Sequence, residues 1–308
     1  MINFRYHIVS LMAVFLALAV GIAVGVSLGP SVDTGLLQQA ARDRDQVTAL
    51  RAQLDQRNAL DQYRQAFEAE TGRIVTTGEL AGVRVALVLM PDAPAAVAQS
   101  LTDAVIEAGG SMVREVQVND ETFDPDRRAD VDAALQEQAA QLNLTDDMSS
   151  ATKVGTAVAY SFTDLQVADR DASAVAVGRA LTGAGLVNVS GDTAAKAQLV
   201  LVVTAETATP ALTPDELTAH LQLDLALRTS AGVVLAGPNS GGIQDTDVLE
   251  ARTDSAASGR LSTVDVADLS SGVTTTILAG KEQLLGRQAR HYGAMARADA
   301  VLPELPVR

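Results

Sequence analysis

His291 and Met295 stand one helical turn apart near the carboxyl terminus. An imidazole nitrogen and a thioether sulfur are both donors for a soft ion such as copper. Tyr292 and Gly293 lie between them, and the glycine works against a regular helix. Two donors do not make a site, and Met12, Met90, Met112 and Met148 form no methionine cluster. His7 falls at the edge of an apolar stretch. His220 sits in a Leu-rich helical stretch, where a packed or partly exposed histidine is expected. The chain has no Cys, which excludes disulfides, zinc ribbons and thiolate copper sites. The acids Asp120, Glu121, Asp124, Asp126, Asp130 and Asp132 lack the central Gly and spacing of an EF-hand loop. Pro125 with Arg127 and Arg128 instead reads as a solvated loop entering a helix.

Other chemistries need patterns that this chain lacks. There is no G-x-x-x-x-G-K-[ST] phosphate loop, no G-x-G-x-x-G turn after the first strand and no G-x-S-x-G nucleophile elbow. Three places remain where a parallel sheet would offer a ligand site beyond its strand ends. They are Pro91-Asp92-Ala93-Pro94, the loop Gly237-Pro238-Asn239-Ser240-Gly241-Gly242, and Asp265 with Asp268. The glycine-rich loop could cradle an anion with backbone N–H groups, although an ordinary turn has the same composition. A nucleotide- or sugar-binding enzyme is the remaining enzymatic reading, and the missing motifs speak against it. A non-enzymatic protein is expected.

The elements that must position these residues fall into three segments. The chain has 308 residues with 38 acidic and 23 basic side chains, a net charge of −15. All of that surplus lies after residue 73. So acidic a chain is a poor nucleic-acid binder, because phosphate contacts need clustered Lys and Arg. Ile8 to Leu28 carries no charge, and its 21 residues match a hydrocarbon core of about 30 Å. Arg5 and the α-amino group precede it and Asp33 follows, which predicts a cytoplasmic N-terminus (1–7) and an exported remainder. A single-pass anchor in the inner (plasma) membrane is favoured over a cleaved signal peptide, whose apolar core is usually only about 7–15 residues. Ala13, Ala17, Gly21, Gly25 and Gly29 recur every fourth position and form a smooth strip for close helix packing.

Pro30 and Gly35 interrupt the chain before a second helix within 33–73. Leu36, Ala40, Val47, Leu50 and Leu54 fall on the a and d positions of a short coiled coil. Asp43, Arg57 and Asp61 break the seam. A homodimer joined through the membrane and coiled-coil helices is the favoured assembly. A lone helix packing its Leu stripe on the next domain is the alternative.

From about residue 80 the pattern changes to short apolar strands separated by amphipathic helices. Strands are predicted at 83–90, 111–118, 197–204, 232–237 and 261–266. Helices are predicted at 95–108, 127–141, 151–162, 172–184, from Thr213-Pro214 onward, 246–257 and 273–285. Continuously apolar strands between helices argue for an α/β fold. The expected domain, 80–287, is a mostly parallel, Rossmann-like α/β/α layer structure followed by a tail at 288–308. It is not a membrane barrel, whose longer strands alternate apolar and polar positions.

Several stretches together resemble one actinobacterial envelope family, which includes the copper transport protein MctB and the cell-separation protein SteB. They are HIVSLMAVFLALAVGIAVG (7–25), the coiled-coil run, VRVALVLMP (83–91), LSTVD (261–265), Gly286 and His291-Tyr292-Gly293. The similarity covers nearly the whole chain in order, with no matching motif in 119–200. It implies a role in copper homeostasis, or regulation of a peptidoglycan hydrolase with a SteA-type membrane partner. The family-like positions are Ser262, Thr263, Val264, Asp265, His291, Tyr292 and Gly293, and the resemblance supplies no catalytic residue. One helix without polar lining cannot form a pore by itself, so the resemblance is best met by a tethered scaffold. Partner binding could shift a coiled coil whose charged a and d residues weaken any fixed register.

Overall fold

The computed structural model describes residues 4–191, 194–205, 211–240, 246–286 and 289–304. The side chains of 4, 5, 28–38 and 41 lie outside that description. The strip position Gly29 and the seam position Leu36 are among them, and so are Gly241 and Gly242 of the glycine-rich loop. The chain divides into two compact units, Met1–Arg64 and Gln65–Arg308.

Helix α1 runs from Phe4 to Thr76 without a break, so the expected interruption at Pro30 and Gly35 does not occur. A proline inside a helix removes its own N–H bond and crowds one carbonyl. Long runs of Ala, Leu, Val and Gln on either side keep the helix going. Tyr6–Ser27 is long and apolar enough to cross a membrane, and no side chain meets the space beside Gly21 or Gly25. Further along, Val47, Leu50, Leu54, Leu60 and Tyr63 are all exposed.

In the second unit seven strands form one sheet in the order β3-β2-β1-β4-β5-β6-β7. β1 is Arg84–Leu89, β2 Ser111–Val118, β3 Val187–Ser190, β4 Leu199–Val203, β5 Gly232–Ala236, β6 Ser262–Val264 and β7 His291–Tyr292. All neighbours are parallel except β2 and β3. β1, β4 and β5 are almost wholly buried, as expected for strands covered on both faces. The helices are α2 (Ala95–Glu107), α3 (Arg128–Leu135), α4 (Ala139–Leu142), α5 (Ser150–Phe162), α6 (Ala172–Gly183), α7 (Pro214–Leu227), α8 (Asp247–Thr253) and α9 (Ser270–Gly286). One core cluster packs Leu87, Leu201 and Val234 under Leu101 of α2 and Ile277 of α9. The other packs Val88, Val200 and Val233 under Val154, Val177, Leu223 and Ala251 of α5, α6, α7 and α8. Alternate residues of the same strands feed the two clusters, which is the period-2 rule at work.

Two edge strands lie outside the sequence expectation. β3 is four residues long and lies antiparallel on β2. β7 pairs Thr263 with His291 and Val264 with Tyr292. The segment expected as a C-terminal tail from 288 therefore supplies the last strand of the sheet, with Tyr292 fully buried. Both strands are too short to carry a periodic signal.

Candidate functional site at the carboxyl edge of the sheet

Parallel strands all deliver their chain ends to one edge, where loops can bring side chains together. At one side of that edge, the residues Ser262–Asp265 and His291–Gly293 converge on Arg252 from the last turn of α8. Arg252 Nη1 lies 2.7 Å from Asp265 Oδ2, and both side chains are fully buried. Arg252 Nε donates to Thr263 Oγ1 at 2.8 Å, and Nη2 donates to the Tyr292 carbonyl at 2.8 Å. Nη1 also donates to the Ala296 carbonyl at 3.2 Å. Asp265 accepts the backbone N–H groups of Ala294 and Met295 at 2.8 and 2.9 Å. A buried carboxylate with this many donors is held in place. Gly293 has φ +131°, and a Cβ there would lie 2.0 Å from Asp265 Oδ1. Glycine is the residue that lets the backbone pass this close.

The remaining motif residues serve the same join. Ser262 Oγ accepts from Gln283 Nε2 at 2.7 Å and from the Arg290 N–H at 3.3 Å. The Tyr292 hydroxyl donates to Glu282 at 2.5 Å, and burial followed by that carboxylate raises its pKa well above the usual phenol range. His291 Nδ1 lies 3.1 Å from Thr263 Oγ1. Thr263 Oγ1 also accepts from Arg252 Nε. Burial, then the Arg252 charge, lowers the His291 pKa. The Ser258 backbone engages the ring as well. Met295 Sδ accepts from Ser240 Oγ at 3.3 Å. The two proposed soft-metal donors are thus each engaged by a hydroxyl group. An ion taken by Nδ1 would have to displace the Thr263 contact. Among the described residues no three His, Cys, Asp or Glu side chains are grouped to hold a metal ion.

The second feature of this edge lies where the strand order reverses. From β1 the chain moves outward to β2 and later returns to β4 on the other side of β1. Beyond β1 and β4 opens a crevice of about 710 Å³. Its walls include Pro91 and Asp92 after β1, Asp120 and Phe123 after β2, Ala205 after β4, and one face of α7. Helix α7 starts with a capping box. The Thr213 N–H donates to Glu216 Oε2 at 2.7 Å, and the Glu216 N–H donates to Thr213 Oγ1 at 3.3 Å. These bonds from Thr213 lower the Glu216 pKa. One turn later, His220 Nδ1 sits 2.9 Å from Asp247 Oδ1 at the start of α8, and its ring packs on Phe123 with centroids 4.3 Å apart. One turn further, Asp224 is buried with neither oxygen hydrogen-bonded. Its pKa is raised well above the usual carboxylate range by burial, then by the Asp247 charge.

Sequence reasoning placed His220 as an ordinary packed residue and missed both Asp247 and Arg252. Asp247 is 27 positions from His220, and no periodic pattern links them. Of the three strand-end sites named above, Pro91 and Asp92 line the crevice, and Asp265 belongs to the buried network. Asp268 Oδ1 accepts the Asn239 N–H at 2.7 Å, which ties the glycine-rich loop to the chain after β6.

These features define a mixed α/β protein with a mostly parallel sheet, carried behind one N-terminal apolar helix. The family model described as "Copper transport outer membrane protein, MctB" matches residues 1–303, and the chain belongs to that family. It is 30% identical over 309 aligned residues to the Copper transporter MctB of Mycobacterium tuberculosis, covering 95% of this chain and 96% of the relative. The Mycobacterium bovis protein of the same name matches at the same identity and coverage.

Proposed function

We propose that this chain is a membrane-anchored, non-enzymatic scaffold of the cell envelope. It contributes to copper homeostasis through a partner protein rather than through a pore of its own. The observation that carries this reading is the pairing, on one helix, of the membrane-length segment Tyr6–Ser27 with the exposed stripe Val47, Leu50 and Leu54. A stripe at heptad spacing in water is covered by a second helix, and a second copy of the chain supplies one. The family name supports the copper role. The engaged donors of His291 and Met295 support an indirect one.

The anchor sits in the inner membrane with its N-terminus in the cytoplasm and the α/β unit outside. The family description names the outer membrane, whose spanning proteins are closed barrels. The sheet here is open, with edges at β3 and β7 and helices on both faces. An outer-membrane role therefore runs through a partner. The same exposed stripe also suits a SteB-like protein that, with a SteA-type partner, controls a peptidoglycan hydrolase.

The chain has no native cysteine, so single introduced thiols test the dimer. Leu50→Cys should crosslink in membranes, whereas Arg51→Cys should not. Leu50→Asp with Leu54→Asp should then lower copper tolerance while the protein stays in the membrane at normal abundance. Unchanged copper tolerance in a chain that no longer dimerises would sink the scaffold reading.

A further inference from the structure

The exposed seam of α1 carries three charges, Asp43, Arg57 and Asp61, where a coiled coil usually has apolar residues. All three are exposed in the single chain. Asp61 binds Arg64 one turn on at 3.0 Å, and that pair is exposed too. Arg57 has no ion-pair partner among the described residues. An apolar partner helix would bury these charges uncompensated, which is costly. We infer that the three charges are a register key, by which two copies of this chain match each other in parallel. The inference rests on the dimer proposed above and adds how its two helices are aligned.

In a parallel two-stranded coiled coil, each a or d side chain enters a hole made by four residues of the facing helix. The heptad positions name those residues. With the copies in register, the hole for Asp43 contains Arg44 of the second copy. The hole for Arg57 contains Asp61, and the hole for Asp61 contains both Arg57 and Arg64. Every charge in the seam therefore meets an opposite charge on the facing helix. Each hole also holds the same residue of the second copy. The alternation Arg57, Asp61, Arg64 along the seam sets an opposite charge in the next layer to offset that repulsion.

Other alignments lose this match. A slip of one heptad moves Arg57 into a hole of Val47, Leu50, Arg51 and Leu54, which contains no acid. The flanks agree with the in-register pairing. The g residues Gln39, Gln46 and Gln53 then face Arg44, Arg51 and Asn58 at e of the second copy, so no like charges meet there. Anchoring through Tyr6–Ser27 makes both copies run in parallel, as the key requires. Charged seam positions cost stability but exclude wrong partners and wrong registers.

Full-length chains carrying Leu50→Cys are oxidised in membranes, and the disulfide-linked dimer is the readout. Adding Asp61→Arg stacks three positive layers and should cut the linked fraction about tenfold. Reversing all three, Arg57→Asp with Asp61→Arg and Arg64→Asp, restores the alternation and should restore the link. Asp55→Arg makes the same change of charge at an exposed position off the seam and should leave the link unchanged. Mixed chains carrying Val47→Cys or Leu54→Cys should link only to their own kind, because a mixed link needs a slip of one heptad. Native linking in the Asp61→Arg chain, an equal loss with Asp55→Arg, or a reversed chain that stays unlinked would overturn the key, while Leu50→Cys still reports a dimer. Mixed links as frequent as like ones would overturn it as well. If Leu50→Cys chains with native charges never link, the dimer itself fails, and the key with it.

Discussion

Arg252 and Asp265 form a fully buried ion pair, with 2.7 Å between Nη1 and Oδ2. The pair joins the end of α8 to the end of β6 and, through backbone contacts, to residues 292–296. It holds the last strand against the sheet, and it explains why LSTVD and His291-Tyr292-Gly293 belong together although about 26 residues separate the two motifs in the chain.

Breaking a buried pair from one side leaves an uncompensated charge, at a cost of about 3–5 kcal/mol. Asp265→Leu or Arg252→Met should therefore lower Tm by roughly 10 °C in a domain of this size. The double variant should recover part of that loss, because two apolar side chains leave no buried charge. Thermal unfolding followed by circular dichroism measures all three, and a double variant worse than the sum of the single ones would contradict the pairing argument.

Gly293→Ala tests the same join from the backbone. The new methyl group would meet Asp265 Oδ1 at 2.0 Å, at a φ of +131°. Backbone strain alone costs about 1–3 kcal/mol, and the carboxylate must also move. Hydrogen exchange should accelerate at the Ala294 and Met295 amides, which donate to Asp265. Amides in the β1 and β4 ladder should keep their protection, which separates loosening of this segment from global unfolding.

The orientation proposed for the chain rests on Arg5 before the apolar segment and Asp33 after it. Glu137 is exposed on the α/β unit, and Glu137→Cys gives that unit a single thiol. A membrane-impermeant maleimide should label it in intact spheroplasts and leave an N-terminal cysteine tag unlabelled. The opposite pattern would place the α/β unit in the cytoplasm and remove the basis for an envelope role.

Legibility in the sequence followed burial. β1, β4 and β5 read clearly because VALVL, LVLVV and GVVLA are apolar on both faces. Helix α7 announced itself by Thr213, Pro214 and Glu216, all of which cap it in the structure. β3 and β7 were hidden because edge strands of four and two residues gain their order from a neighbour rather than from their own pattern. Pro30 signals a break only locally, and the helix-forming residues on both sides of it carry α1 through. The motif residues near the C-terminus were visible, but their common partner Arg252 was not. A single buried arginine has no sequence signature before the fold surrounds it.

Asp224 carries the pH prediction. Its side chain is buried without a hydrogen bond, and burial, then Asp247, raises its pKa. An unfolded aspartate releases its proton at about pH 3.9. Folded Asp224 keeps its proton to a higher pH, so the folded chain binds more protons across that window. Stability contributed by this group is fully present below about pH 4 and is lost as pH rises through the folded value. Asp224→Asn removes the titration while keeping the shape, and Asp224→Leu also removes the unsatisfied oxygens, a gain of about 1–3 kcal/mol. Both variants should raise Tm more at pH 8 than at pH 5. Thermal unfolding at the two pH values, on the full chain in the same detergent, measures the difference. A gain that is equal at both values would mean that Asp224 does not titrate in this window. A loss at both would mean that the carboxyl group holds a contact that stabilises the fold.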